Sequence, residues 1–252
     1  MSHNFFNDDK VLKEYIKMRH SENPTDIIEK PAIKRMLPLN LNNKRILDIG
    51  CGYGEMSKYF IDNGAKLVVA IDISEKMIQK AMKENYDKKI LYICGDIANL
   101  NEKSSGRFDI VYSSFALHFV ESLDKLFAKL NQLLNDDGDF VFSIEHPIMT
   151  ATMKPTWNVD EKQNIISYNL NGYYDEKYKE GCWFTSDIIV GCYHRKISTI
   201  VNLLLKNGFE IVQIDEPEPK KNEMHEKLYQ ILSCRPMVVV FKCKKRRMEN
   251  SV

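Results

Sequence analysis

Apolar and polar positions along residues 44–145 keep switching between two periods, and that alternation is the most informative feature of the chain. Short apolar runs stand at "RILDIG" (45–50), "KLVVAID" (66–72), "ILYICGD" (90–96), "FDIVYSS" (108–114) and "DFVFSIE" (139–145). Runs this apolar predict strands buried on both faces, as in a parallel sheet. Between them the spacing turns helical. Met56, Tyr59 and Phe60 share one face before Gly64. Met77, Ile78, Ala81 and Met82 share another, behind Ser74 as N-cap. Leu123, Leu126, Phe127, Leu130, Leu133 and Leu134 form a third, which the "DDG" turn at 136–138 closes. Strands alternating with helices predict right-handed βαβ crossovers and an α/β, doubly wound sheet.

The regular pattern stops at 146–195, a stretch rich in aromatics with no sustained period, the mark of a long functional insertion. It resumes at 197–214, where Ile197, Ile200, Val201, Leu204 and Leu205 predict a helix ending at Gly208, followed by a strand. A charged, proline-bearing stretch (215–227) then leads to "PMVVVFKCK" (236–244). With no helix expected between them, the last two strands read as an antiparallel pair at the sheet edge.

Composition narrows the function classes. The chain has 252 residues, 44% hydrophobic and 28% charged, with a formal net charge of +1, so no global field favours nucleic acid or an acidic surface. The basic run "KCKKRR" (242–247) reads as a solvated tail. No apolar stretch approaches the ~18–20 residues that span a bilayer, and the first residues do not resemble a signal peptide. The six cysteines form no C-x-x-C pair, so neither a zinc site nor a disulfide framework is expected, and the reading is a reduced, cytoplasmic protein.

Candidate chemistry centres on "LDIGCGYGEM" (47–56). A phosphate-binding P-loop needs Gly-Lys-Ser/Thr, but Gly54 is followed by Glu55 and Met56. A dinucleotide loop needs a glycine where Glu55 stands, and a carboxylate opening the helix opposes a pyrophosphate. S-adenosylmethionine, with an ammonium and no phosphate, suits the loop better. Asp48 can receive that ammonium, and Gly50, Gly52 and Gly54 let the backbone turn closely beneath the amino-acid tail. Asp72 ends the second strand where a ribose-binding carboxylate belongs. Asp96 ends the third, placed for the adenine amino group, with Met77 and Ile97 flanking the ring. Any one acid alone is as readily a cap or turn former; the set with the loop is not.

At these residues the chain resembles the class I S-adenosylmethionine-dependent methyltransferases with small-molecule acceptors. "LDIGCGYG", "AIDIS", "CGDIANL", "FDIVYSSFALHFV" and "LNDDGDFVFSIEHP" carry the resemblance. The fold it implies is a mostly parallel, Rossmann-like seven-stranded sheet with a reversed last strand, and the implied product is S-adenosylhomocysteine. Ahead of the core, Tyr15, Met18 and Arg19 match a "Y-x-x-M-R" element. By resemblance, residues 1–43 form a helical lid with Tyr15 and Arg19 facing the methionine carboxylate, 44–252 form the methyltransferase domain, and 146–195 is a substrate-side insertion. Cys51, Ile73, Ser113 and His118 complete the candidate cofactor set.

Three histidines are candidate bases, since imidazole titrates near neutrality. They are His118 after the fourth strand, His146 after the fifth and His194 after the insertion. Each is equally readable as a packing or hydrogen-bonding group. Trp157, Tyr168, Tyr173, Tyr174, Tyr178 and Trp183 either enclose an apolar or cationic acceptor or form a small satellite core. The expected partner is a small-molecule methyl acceptor, with no metal, nucleic acid or membrane, in a monomer or homodimer. Three other readings stay open: an RNA methyltransferase, disfavoured because "SSFA" replaces an N/D-P-P-Y/F turn; a non-catalytic S-adenosylmethionine-binding regulator; and a nicotinamide oxidoreductase.

Overall fold

The computed structural model describes residues 4–19, 23–100, 105–182 and 188–246. Five apolar runs become parallel strands: β1 (Arg45–Ile49), β2 (Leu67–Asp72), β3 (Ile90–Cys94), β4 (Phe108–Ser113) and β5 (Leu134–Glu145). With β10 (Phe209–Asp215) and β11 (Val238–Lys245) they form one sheet in the order β10-β11-β5-β4-β1-β2-β3. Only β11 is reversed, pairing antiparallel with both β5 and β10. The chain leaves β1 in one direction and returns beside it as β4, so the strand order switches at β1, and a crevice opens beyond the carboxyl ends there.

Both sheet faces are covered, which is why the strands are continuously apolar. Leu47, Val69, Val111, Phe140, Phe142 and Phe241 point to one face. They pack on α5 (Leu123–Leu133) and α7 (Ile197–Lys206) through Phe127, Leu130, Ile200 and Leu204. Ile46, Val68, Ala70, Ile110, Val141 and Val240 point to the other, against α2 (Lys30–Met36) and α3 (Glu55–Asp62). The period-2 side-chain alternation of the strands sends neighbours to opposite layers. The remaining main helices are α1 (Asp9–Arg19) and α4 (Glu75–Glu84), the latter capped by Ser74 as expected. Met77, Ile78 and Ala81 of α4 are buried, but Met82 is exposed.

Three expectations need correction. A helix, α8 (Glu226–Cys234), does separate the last two strands; its N-cap is His225, whose Nδ1 accepts the Leu228 N–H, in place of the usual short polar cap. Lys242–Lys245 belong to β11 rather than to a tail, with Cys243 fully buried, while Arg247 lies outside the described residues. Asp96 lies beyond the end of β3 and caps a 3-10 turn, accepting the Ala98 N–H at 2.8 Å.

The insertion is not irregular throughout. It holds a short helix, α6 (Pro147–Ala151), and two antiparallel pairs, β6 (Trp157–Val159) with β7 (Ile165–Tyr168) and β8 (Tyr178–Cys182) with β9 (Ile189–Tyr193). Among the described residues no helix is long and apolar enough to cross a membrane.

Candidate active site

A cavity of about 240 Å³ opens at the carboxyl ends of β1, β2, β4 and β5, and the N-terminal segment closes over it. Gly50, Cys51 and Gly52 form its floor. Gly50 and Gly52 have φ of +68° and +55°, a region that side chains rarely adopt. They differ in what a side chain would meet. At Gly50 an added Cβ would collide with the Ala116 Cβ, whereas at Gly52 it would enter open space.

Three of the predicted acids meet on this wall. Asp48 is buried, and its Oδ2 accepts from the Ser57 hydroxyl at 2.6 Å. No basic side chain among the described residues pairs with it. Burial, partly offset by Ser57 and reinforced by the Asp72 charge, pushes its carboxyl up to about 7. Asp72 accepts the Gly52 N–H at 2.9 Å and the Ser74 N–H at 2.8 Å, which fixes its carboxylate plane across the loop; burial raises its pKa as well. Asp96 joins them, with Ile73, Met77 and Ile97 as apolar neighbours.

The other wall comes from α1. Tyr15, Met18 and Arg19 all line the cavity, one helical turn apart. Arg19 is held at the mouth of the glycine loop. It pairs with Glu55 at 2.6 Å and Asp26 at 3.1 Å, and its Nε donates to the Tyr53 hydroxyl at 3.3 Å. Lys30 also reaches Glu55, at 3.0 Å. The acid that disqualified a phosphate site is therefore the anchor of the N-terminal segment.

Two predicted cofactor residues are off the wall. The Ser113 hydroxyl is buried and donates to the Ile49 carbonyl at 2.9 Å, tying β4 to β1. Gly54 starts α3 and backs onto Tyr92.

The three histidines separate clearly. Only His118 lines the cavity, buried against Phe119 at a ring distance of 4.2 Å. Burial, helped by the Arg195 charge, lowers its pKa to about 3, so the ring is neutral at physiological pH. His146 caps α6: its Nδ1 accepts the Ile148 N–H, which leaves Nε2–H to donate to Glu216 at 2.8 Å. His194 accepts from the Thr150 hydroxyl at 2.8 Å and donates to the Tyr173 carbonyl at 2.9 Å. Both nitrogens of His146 and of His194 are engaged with these partners, and neither residue lines the cavity.

The aromatic cluster of the insertion is likewise absent from the cavity wall. Trp157 and Tyr168 pack on each other with the Arg235 guanidinium over both rings, at 5.6 and 5.5 Å. Tyr173 packs on Tyr174 and His194, and Tyr178 on Tyr193; Trp183 lies outside the described residues. These rings pair with one another on the insertion, with Tyr174 exposed, and do not form part of the cavity wall.

The side chains that sequence reasoning missed sit over β4 and β5. Phe115 lines the cavity with φ of +48°, held there by its N–H on the Ser143 hydroxyl at 3.1 Å. Glu145, at the end of β5, lines it too, with Met149 and Met237. The rule that drew attention to Asp48, Asp72 and Asp96, an acid closing an apolar strand, also applies to Glu145 in "FSIEHP".

The residues fit the donor: a cation-seeking buried carboxylate at Asp48, a ribose-type acid at Asp72, and open space over Gly52. An open α/β sheet places its ligand in a crevice of this kind, and comparison with known proteins sets the family. The sequence model described as "Methyltransferase domain" matches residues 47–142. An S-adenosylmethionine-dependent methyltransferase from Mesorhizobium loti is 32% identical with a TM-score of 0.75, over 86% of this chain and 97% of that one. An uncharacterized protein of Haemophilus influenzae is 32% identical over 95% of this chain and 96% of its own length. A malonyl-[acyl-carrier protein] O-methyltransferase of Enterobacter lignolyticus is 31% identical, over 47% of this chain and 46% of its own. The chain belongs to the S-adenosylmethionine-dependent methyltransferases, whose methyl donor is S-adenosylmethionine.

Proposed function

We propose that the protein methylates a small molecule held in the same cavity as the donor, over the ends of β4 and β5. The observation that carries the reading is the meeting of the glycine loop, Asp48, Asp72 and Asp96 in one cavity whose lining also includes many apolar side chains. Asp48 would hold the donor's ammonium, Asp72 the ribose hydroxyls, and Asp96 with Met77 and Ile97 the adenine. Tyr15 and Arg19 on α1 would close over the methionine carboxylate as a lid. When bound, the sulfonium supplies an already activated methyl group. The chain's own work is then to align the acceptor and exclude water, which Phe115, Leu117, Phe119 and Met149 support by lining the acceptor end.

The cavity's size supports a small acceptor, as does the near-zero net charge. The test is incubation of the purified protein with a trideuteromethyl-labelled donor and small-molecule extract, read by mass spectrometry. The expected result is label on one low-mass compound, with matching release of S-adenosylhomocysteine. Label on RNA alone, or tight donor binding with no transfer to any fraction, would contradict it.

A further inference from the structure

Charged groups on the cavity wall are nearly all committed to partners. Arg19 and Lys30 both bind Glu55. Asp48 takes the Ser57 hydroxyl, Asp72 two backbone N–H groups, and Asp96 the Ala98 N–H. Glu145 is different: among the described residues its carboxylate has no hydrogen bond and no ion pair. Its backbone N–H donates to the Nδ1 of His118 at 3.5 Å, the long end of hydrogen-bonding distance. A carboxylate facing a cavity without a partner calls for one from a ligand.

Position adds to this. In the sheet, β5 stands two strands from β1, roughly 10 Å at ~4.8 Å per strand, so Glu145 lies across the cavity from Asp48. Phe115, Phe119, Met149 and Met237 line the same cavity and give it an apolar wall.

We propose that Glu145 is the acceptor-binding group: it takes the N–H or O–H of a proton-bearing nucleophile carried on an apolar body, and it receives that proton during transfer. The assignment rests on the methyl-transfer reading above. The acceptor's lone pair forms the bond to the methyl carbon as the carbon–sulfur bond breaks onto sulfur, and the acceptor's proton passes to the Glu145 carboxylate. A carboxylate acceptor would bring no such proton and would set two anions together.

The groups facing Glu145 agree with this role. They are His118 after β4, Cys192 on β9, Arg195 beyond it, and Arg235 ahead of β11. Arg195 is occupied by the Val120 and Glu121 carbonyls, and Arg235 by its two aromatic rings. His118, neutral and with Nδ1 turned to the Glu145 N–H, is poorly placed to take a proton. Burial pushes the Glu145 carboxyl up to about 7, the Arg235 charge opposing that rise, which matches a proton acceptor to neutral pH.

The test uses the full chain saturated with S-adenosylhomocysteine and reads thermal stabilisation by benzylamine, benzyl alcohol and benzoate. It compares the wild type with Glu145→Gln at roughly one pH unit either side of 7. Benzylamine or benzyl alcohol should stabilise the wild type, more at the higher pH, and the variant should bind it at least about tenfold more weakly. The amine and alcohol arms distinguish an N–H from an O–H acceptor. Unchanged affinity of the variant for S-adenosylhomocysteine shows that it folds. Benzoate stabilising best, or equal responses of wild type and variant, would overturn the assignment. A wild type that does not bind S-adenosylhomocysteine fails earlier, at the methyl-transfer reading.

Discussion

Asp48, proposed above to hold the donor's ammonium, opposes the stability of its own fold. Its carboxyl is buried with a single hydrogen-bond donor, and its pKa rises from 3.8 to about 7 on folding. Between those values the folded chain holds a proton that the unfolded chain has lost. The acid's contribution to stability is therefore complete below about pH 4 and declines as pH rises toward 7. At about 1.36 kcal/mol per pKa unit the loss is on the order of 1–4 kcal/mol. Asp48→Asn, which can still accept from Ser57, should raise the melting temperature by several degrees at pH 8 and change it little at pH 4. The same variant should bind the donor poorly. A melting-temperature difference independent of pH would show that burial of this carboxylate is not the cause.

At the scale of elements, α1 is fastened to the glycine loop by charge more than by burial. Arg19 and Lys30 converge on Glu55, and Asp26 bridges the two cations. Val11 is the one buried residue of α1. Partly exposed ion pairs add little to global stability, about 0–1 kcal/mol each, and weaken with salt. Glu55→Gln should therefore barely move the melting temperature while speeding hydrogen exchange across Asp9–Arg19. Exchange in α1 of the wild type should also rise with ionic strength. Unaltered exchange in α1 would mean that other contacts hold it. The sequence exposed Tyr15, Met18 and Arg19 through their spacing. The Arg19–Glu55 pair was not legible, because no local pattern links residues 36 positions apart.

Across the whole molecule, what was legible followed from periodicity. Buried strands such as "KLVVAID" and the Leu123–Leu133 helix face announce themselves, since burial on both faces or on one stripe fixes their composition. The α8 helix did not, because it is short and a histidine caps it in place of the usual small polar residue. Among the cavity-lining residues, Asp48 and Asp72 were readable as acids closing apolar strands and Glu145 obeys the same rule, while Phe115 became visible only with the cavity. For His146 and His194, residue type alone did not reveal that both ring nitrogens are engaged. The insertion is joined to the body through such contacts: His146 to Glu216, Gln230 to the Ile165 N–H at 3.1 Å, and Arg235 against Trp157 and Tyr168. Arg235→Ala removes two cation–π contacts of about 0.5–1 kcal/mol each. It should lower the melting temperature by a few degrees, with loss of the fluorescence signature of packed Trp157 and no change in S-adenosylhomocysteine affinity. Weakened cofactor binding in that variant would tie the insertion to the donor site.

The central claim is that the glycine loop and its acids hold the donor in this cavity. It is tested most directly by titration calorimetry of the wild type and Asp72→Ala with S-adenosylhomocysteine and with NAD. We predict saturable one-to-one binding of S-adenosylhomocysteine, no binding of NAD, and affinity at least about tenfold weaker in the variant, as expected on losing hydrogen bonds to a charged group. Binding of NAD in preference, or S-adenosylhomocysteine affinity unchanged in Asp72→Ala, would contradict it.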